Sequence, residues 1–198
     1  MAMVSAALQC NCGECVEPLR SHASRLLDTS PELRDAPRHA TLPGLRMNPI
    51  LVRQAVLADV DALAPLFDRY RQFQGQAADP AACRAFLLDR FNHGESVVFL
   101  ASRAGRPAGF AQLYPSFSST ALSRVFILND LFVAEEGRLA GVASALLQAV
   151  EGYAWSCGAC RVSLNVTRVN GPAQRLYEAK GWLRDGEFFM YHRHRPAP

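Results

Sequence analysis

The sequence predicts an α/β protein, with helices layered on one central sheet. Three observations carry that expectation. From Ile50 onward, β-rich runs and helix-period runs alternate in a mixed order. One apolar run, Arg124 to Val133, passes through a short acidic turn directly into a helical pattern, so a strand feeds a helix amino terminus. The composition, 49% apolar and 20% charged over 198 residues, is that of a globular protein long enough to bury a substantial core.

Each element has its own reason. Ile50-Leu-Val-Arg-Gln-Ala-Val56 reads as a first strand, and Ala58-Asp59 opens an amphipathic helix. There Val60, Leu63, Leu66, Phe67 and Tyr70 recur at three and four residues and form a core face. Gln72 to Gln76 reads as a loop. Asp79-Pro80 caps a second helix running to about Phe91 and stopped by Asn92-His-Gly94. Ser96 to Ser102 and Ala108 to Tyr114 are two strands of a hairpin, followed by a polar loop from Pro115 to Ser119. After the Arg124 to Val133 strand, the helix is expected to take Arg138 to Ala143 as its first turn and to end at Gly158. Arg161 to Val166 is a strand, a helix begins near Pro172 and ends at Gly181, and Phe188 to Tyr191 is a last strand.

Residues 1–46 mix Pro, Ser, Arg and acidic residues without sustained periodicity, and they are expected to be a flexible extension or the product of a start codon placed too far upstream of Met47. Residues 47–198 are then the functional domain. No apolar run approaches the roughly 18 residues of a membrane span, and no secretory leader is recognisable, so the expected location is the cytoplasm, with no membrane partner. The net charge of +3 is small and no basic stripe precedes His192-Arg-His-Arg195, which argues against nucleic acid as a partner. Among the six cysteines, Cys10, Cys12 and Cys15 lack a convincing fourth zinc ligand. Cys157 and Cys160 straddle a helix end and a strand start, where cysteine serves as a small apolar residue. No metal is expected.

The first turn of a helix presents backbone N–H groups without intrahelical partners and carries partial positive charge, so it suits a phosphate. Gly141 and Ala143 leave little side chain in the way. The pattern Arg138-x-x-Gly141-x-Ala143 after a strand ending in Val133, followed by Ser144-Ala-Leu-Leu147, resembles the acetyl-CoA pyrophosphate loop of the GCN5-related N-acetyltransferases (GNAT superfamily). Asn170-Gly-Pro-Ala-Gln-Arg-Leu-Tyr177, leading to Gly181-Trp182, resembles the same family's next signature, in the right order and at the right distance. Gly109 to Ser119 together with Leu128 to Val133 resembles the branch related to histone and polyamine acetyltransferases.

The resemblance implies a mixed, mostly antiparallel sheet flanked by helices, with two central strands splayed apart. It implies that Leu131, Phe132 and Val133 offer backbone groups to pantetheine, with the amides of Arg138, Leu139, Ala140, Gly141, Val142, Ala143 and Ser144 around the diphosphate. Position 139 often carries Gly in the family. Here Leu139 keeps the amide and is expected to turn outward. Asn170, Pro172 and Ala173 belong to the second cofactor-binding signature, with Asn170 expected to anchor the loop or touch pantetheine rather than do chemistry, since an amide does not titrate. Tyr177 is implied as the acid that protonates the leaving thiolate, because a phenol of pKa about 10 stays protonated at neutral pH. Where polyamine-type relatives carry a glutamate, this chain has Asn129. Asp130 is adjacent and replaces that glutamate only if the strand bulges, because neighbours on a strand face opposite sides; it then acts through water or simply attracts a cationic acceptor. A structural Asp that bonds a loop is the competing account. Phe73, Gln74, Tyr114, Phe117 and Asn165 are the candidate acceptor contacts. The expected activity is transfer from acetyl-CoA to a small primary amine, such as a polyamine or amino acid, in a ternary complex. No cysteine lies where it would form an acetyl-enzyme. A protein lysine or amino-terminal acceptor, or a non-catalytic acyl-CoA sensor, are the alternatives. Relatives are often dimers, which leaves a homodimer open.

Overall fold

The computed structural model describes residues 49–196, so the expected extension with Cys10, Cys12 and Cys15 lies outside the described residues. Five strands form one sheet in chain order: β1 (Ile50–Gln54), β2 (Val97–Arg103), β3 (Arg106–Ser118), β4 (Ser123–Val133) and β5 (Ala159–Ser163). The first three pairings are antiparallel and β4 with β5 is parallel, so the sheet is mixed and mostly antiparallel as expected. Four helices flank it: α1 (Val60–Phe73), α2 (Pro80–His93), α3 (Val142–Ser156) and α4 (Gly171–Ala179).

Local chemistry explains the helix ends. The Asp79 carboxylate accepts from the Ala82 amide at 2.9 Å, Pro80 needs no amide partner in the first turn, and Gly94 closes α2 in the left-handed conformation at φ 61°. α3 ends similarly, with Gly158 at φ 70° just past the last turn.

The sheet separates two cores. On one face α1 and α2 bury Leu63, Phe67 and Leu87 against Val98, Phe110 and Phe132. On the other, α3 buries Leu146, Leu147 and Val150 against Leu113, Phe126 and Leu128. α4 is tied to α3 through the Trp182 indole N–H, which donates to Glu151 Oε1 at 2.7 Å.

Four expectations need correction. The stretch Pro115 to Ser118 is strand, not loop. β2 reaches only to Leu113 in its pairing, so Pro115 lies where β3 has β4 alone as a neighbour, the edge position in which a missing amide is tolerated. α3 starts at Val142 rather than Arg138, because Leu139 and Gly141 sit at φ 57° and 87° and no right-handed helix contains such residues. Phe188 to Tyr191 forms no strand. Phe189 and Tyr191 are 83% and 89% exposed, and β propensity without a paired edge does not make a ladder. Cys157 and Cys160 are exposed rather than buried. Cys160 is the residue left over between the pairs Arg124 with Ala159 and Val125 with Arg161.

Candidate active site

The turn from Arg138 to Gly141 and the first turn of α3 form the candidate donor half of the site. Among the described residues no side chain caps the α3 amino terminus, so its amides are open to an external acceptor. At Gly141 a β-carbon would meet only the Ile50 Cδ1 at 3.7 Å, so the turn is open as well as left-handed. Leu139 projects fully into solvent, as expected of a residue retained for its amide. The Arg69 guanidinium grips the Glu136 carboxylate with two bonds of 3.0 Å, joining α1 to the segment before this turn and holding Glu136 at a pKa of about 2.

The candidate acyl-carrier half is an edge of β4 left open where β5 ends at Ser163, short of the expected Val166. β4 and β5 pair only from Arg124 to Ile127 and from Ala159 to Ser163. Beyond that, residues Leu128 to Val133 keep β3 on one edge and, among the described residues, have no strand on the other. Backbone groups of Leu131 and Val133 on that edge are free to pair with an extended ligand as a neighbouring strand would. Phe132 offers neither part to that edge: its ring is buried in the α1 side core, and its backbone groups face β3, as those of Ala134 do in bonding Ala108.

The condition set for Asp130 is met. Gln112 pairs with Asp130 and Leu113 with Leu128, leaving Asn129 without a partner: a β-bulge. Leu128 packs in the α3 core and Phe132 in the α1 core, so the bulge switches the strand's parity and turns Asp130 to the α1 side. Asp130 is 5% exposed. Burial raises its pKa, while hydrogen bonds from the Asn129 amide, 3.1 Å to each oxygen, and from the Tyr70 hydroxyl oppose that rise. The Tyr70 phenol is pushed up to about 12 by burial and by the Asp130 charge. Tyr114, on the same face, is raised by burial and then by the same carboxylate.

Tyr177, on α4, is half-buried, and burial raises its phenol pKa, so it is a proton donor at neutral pH. Its ring packs 5.9 Å from that of Trp182. Asn170 caps α4, its side-chain oxygen accepting from the Ala173 amide at 3.2 Å. Pro172 fills the first turn of α4. Among the acceptor candidates, Gln74 is joined to the centre by its amide, which donates to the Tyr70 hydroxyl at 3.4 Å. Phe73 instead shares a pocket of about 220 Å³ with Arg69, Arg138 and Glu135 beside the diphosphate turn. Phe117 is not brought to Asp130. It pairs with Arg124, lies under that guanidinium at 4.8 Å, and by alternation from Leu113 faces the α3 side. Asn165 is exposed, its amide 3.7 Å from the Met190 sulfur.

Sequence reasoning took Tyr70 for core alone. The available signal was its phenol, because a buried tyrosine hydroxyl needs a partner. Gln112, fully buried opposite Asp130 and donating to Ser96 Oγ at 2.8 Å, carried no sequence signal.

Uncapped helix amides next to an open strand edge suit an enzyme that takes its donor on a long phosphorylated carrier. Known proteins agree. Residues 60–182 match the acetyltransferase (GNAT) family. The uncharacterized N-acetyltransferase YhfO of Bacillus subtilis is 42% identical over 146 residues, 74% of this chain and 98% of that one. The crystal structure of a probable acetyltransferase is 43% identical, with a TM-score of 0.71 over 75% of this chain and 99% of that one. An aminoglycoside N-acetyltransferase in complex with CoA shares the fold at 21% identity, with a TM-score of 0.62 over 74% of this chain and 96% of that one. The chain belongs to the acetyltransferase (GNAT) family, and it is an N-acetyltransferase of that type. No helix among the described residues is long and apolar enough to cross a membrane.

Proposed function

We propose that this chain transfers the acetyl group of acetyl-CoA to a primary amine by direct attack in a ternary complex, in the cytoplasm, using the domain 47–198. The observation that carries the reading is the bulge at Asn129, which sets a buried carboxylate on the side of the sheet where Tyr70 and Tyr114 gather.

The chain's own groups divide the work. Amides of residues 139–144 hold the diphosphate, and the free edge of Leu131 to Val133 orients the carrier arm. When bound, acetyl-CoA supplies an acyl group activated as a thioester. Asp130 takes one proton from the acceptor ammonium, which must be neutral to attack. Tyr177 gives its proton to the departing thiolate sulfur and recovers one from the nitrogen as the amide forms, so both protons are accounted for. The raised pKa of Asp130 supports its role, because a stronger base removes an ammonium proton more readily. Asn129 and Tyr70 orient the carboxylate.

The fold admits both kinds of acceptor: the neighbours include an aminoglycoside N-acetyltransferase and a ribosomal-protein-alanine N-acetyltransferase, each below 25% identity. The burial of Asp130 favours a small amine over a folded protein surface. Thiol release from acetyl-CoA across a panel of primary amines is the test. Release that depends on amine supports transfer, whereas acetyl-CoA binding without release supports a sensor. Tyr177→Phe is expected to slow turnover about ten- to a thousand-fold with little change in acetyl-CoA affinity. Unchanged turnover removes Tyr177 from the chemistry.

A further inference from the structure

Resting on the N-acetyltransferase reading, we propose that the acceptor is an amino carboxylate, whose anionic group is bound by Arg161 while its amine is presented to Asp130. Arg161 sits on β5, in register with Val125, next to Val162, which pairs with Phe126. Phe126 and Val162 pack on the α3 side of the sheet. Alternation therefore sends Arg161 and Ser163 to the opposite face, the face to which the bulge turns Asp130. Ile127, in register with Ser163 and 39% exposed, lies between them on that face and offers an apolar floor.

The electrostatics of Arg161 are incomplete. Its Nε is buried without a hydrogen-bond partner, and among the described residues no carboxylate lies within ion-pairing distance of its guanidinium. A partly buried cation without a counter-charge is unfavourable, and an anion supplied from outside relieves it. Guanidinium is also the side chain best shaped to hold a carboxylate through two parallel bonds. Glu95 is no substitute, because Arg90 already holds it.

Spacing limits the ligand. From Val125, the register position of Arg161, to Asp130 there are four regular strand steps and one bulge residue. Four such steps span about 13 Å between backbone positions. Side chains of both residues can close that spacing onto one small molecule. An amine bearing further positive charge, such as a polyamine, would set its second cation against Arg161.

Initial rates of thiol release should be compared for pairs of acceptors that share the amine and chain but differ in the carboxylate. Suitable pairs are 4-aminobutyrate with n-butylamine and 6-aminohexanoate with n-hexylamine, with spermidine as a dication or higher. The wild-type chain is expected to favour the amino carboxylates by at least about tenfold in kcat/KM, on the scale of one charge-assisted pair. Arg161→Met should collapse that ratio toward one through the acceptor KM, with the KM for acetyl-CoA unchanged, and Arg161→Lys should restore part of it. Thermal melting of each variant separates misfolding from lost recognition. A preference for the alkylamines or spermidine, or an Arg161→Met variant that keeps the ratio, overturns the assignment while leaving the acetyltransferase reading intact. Absence of thiol release with every amine overturns both.

Discussion

Asp130 makes opposing demands on activity and stability. Its pKa is raised by burial, so its folded-state pKa lies above the unfolded one. A carboxyl shifted in that direction contributes stability below its unfolded pKa and loses it as pH rises through the folded pKa. Asp130→Asn, which keeps the shape and removes the buried charge, is therefore expected to raise the melting temperature at pH 7.5, with the gain vanishing near pH 3. Melting curves at the two pH values check this. The same substitution should lower kcat about a hundred- to ten-thousand-fold and abolish the limb on which the wild-type rate climbs with pH. Leu139 is a second residue held against its own preference, at φ 57° with its side chain in solvent. Leu139→Gly relieves a left-handed strain of about 1 kcal/mol, so a rise of about 2–4 °C in melting temperature is expected, with acetyl-CoA affinity retained because the amide is retained.

At the scale of elements, the approach of β3 to β4 depends on a missing side chain. A β-carbon at Gly109 would stand 2.6 Å from the Phe132 carbonyl oxygen, inside any real contact, and 3.3 Å from the Val133 Cα. Gly109→Ala must push β4 away at the point where the carrier arm is to lie. Its expected signature is a loss of stability together with weaker acetyl-CoA binding, measured by denaturant melts and by titration. Much of the element pattern was legible beforehand for local reasons. The Asp79 cap, the stop at Gly94 and the stripe Val60 to Phe67 are all contained within a few residues. The start of α3 was not, because Gly141 reads equally as a small helical residue and as a left-handed turn. Nor was the end of β3, since Pro115 is permitted there only by the place where β2 stops.

Across the whole molecule, charge works in the opposite sense to Asp130. Asp59 joins β1 to the start of α1, accepting from Arg53 at 2.7 Å and from the Val56 amide at 2.8 Å, and these bonds hold it at about 2. Depressed carboxyl pKa values give stability that is present above the unfolded pKa and lost as pH falls through the folded one. Stability is expected to fall between about pH 4 and pH 2. Asp59→Asn should melt below wild type at pH 7, with the difference narrowing by pH 2. A difference that stays constant over that range would assign the effect to packing rather than to charge.

By itself the sequence determined what neighbours along the chain determine: most of the alternation of elements and the cap of α2. Tyr177 and the Asn170 segment were singled out only through the resemblance to a known family. Tertiary structure alone decided which face Asp130 takes, because that depends on Asn129 having no partner on a strand seventeen positions back in the chain at Gln112. It also joined Tyr70 to that carboxylate, left Arg161 without a counter-charge and sent Phe117 to the far side of the sheet. Each of these is a matter of register between strands, and register is set by packing on two faces at once.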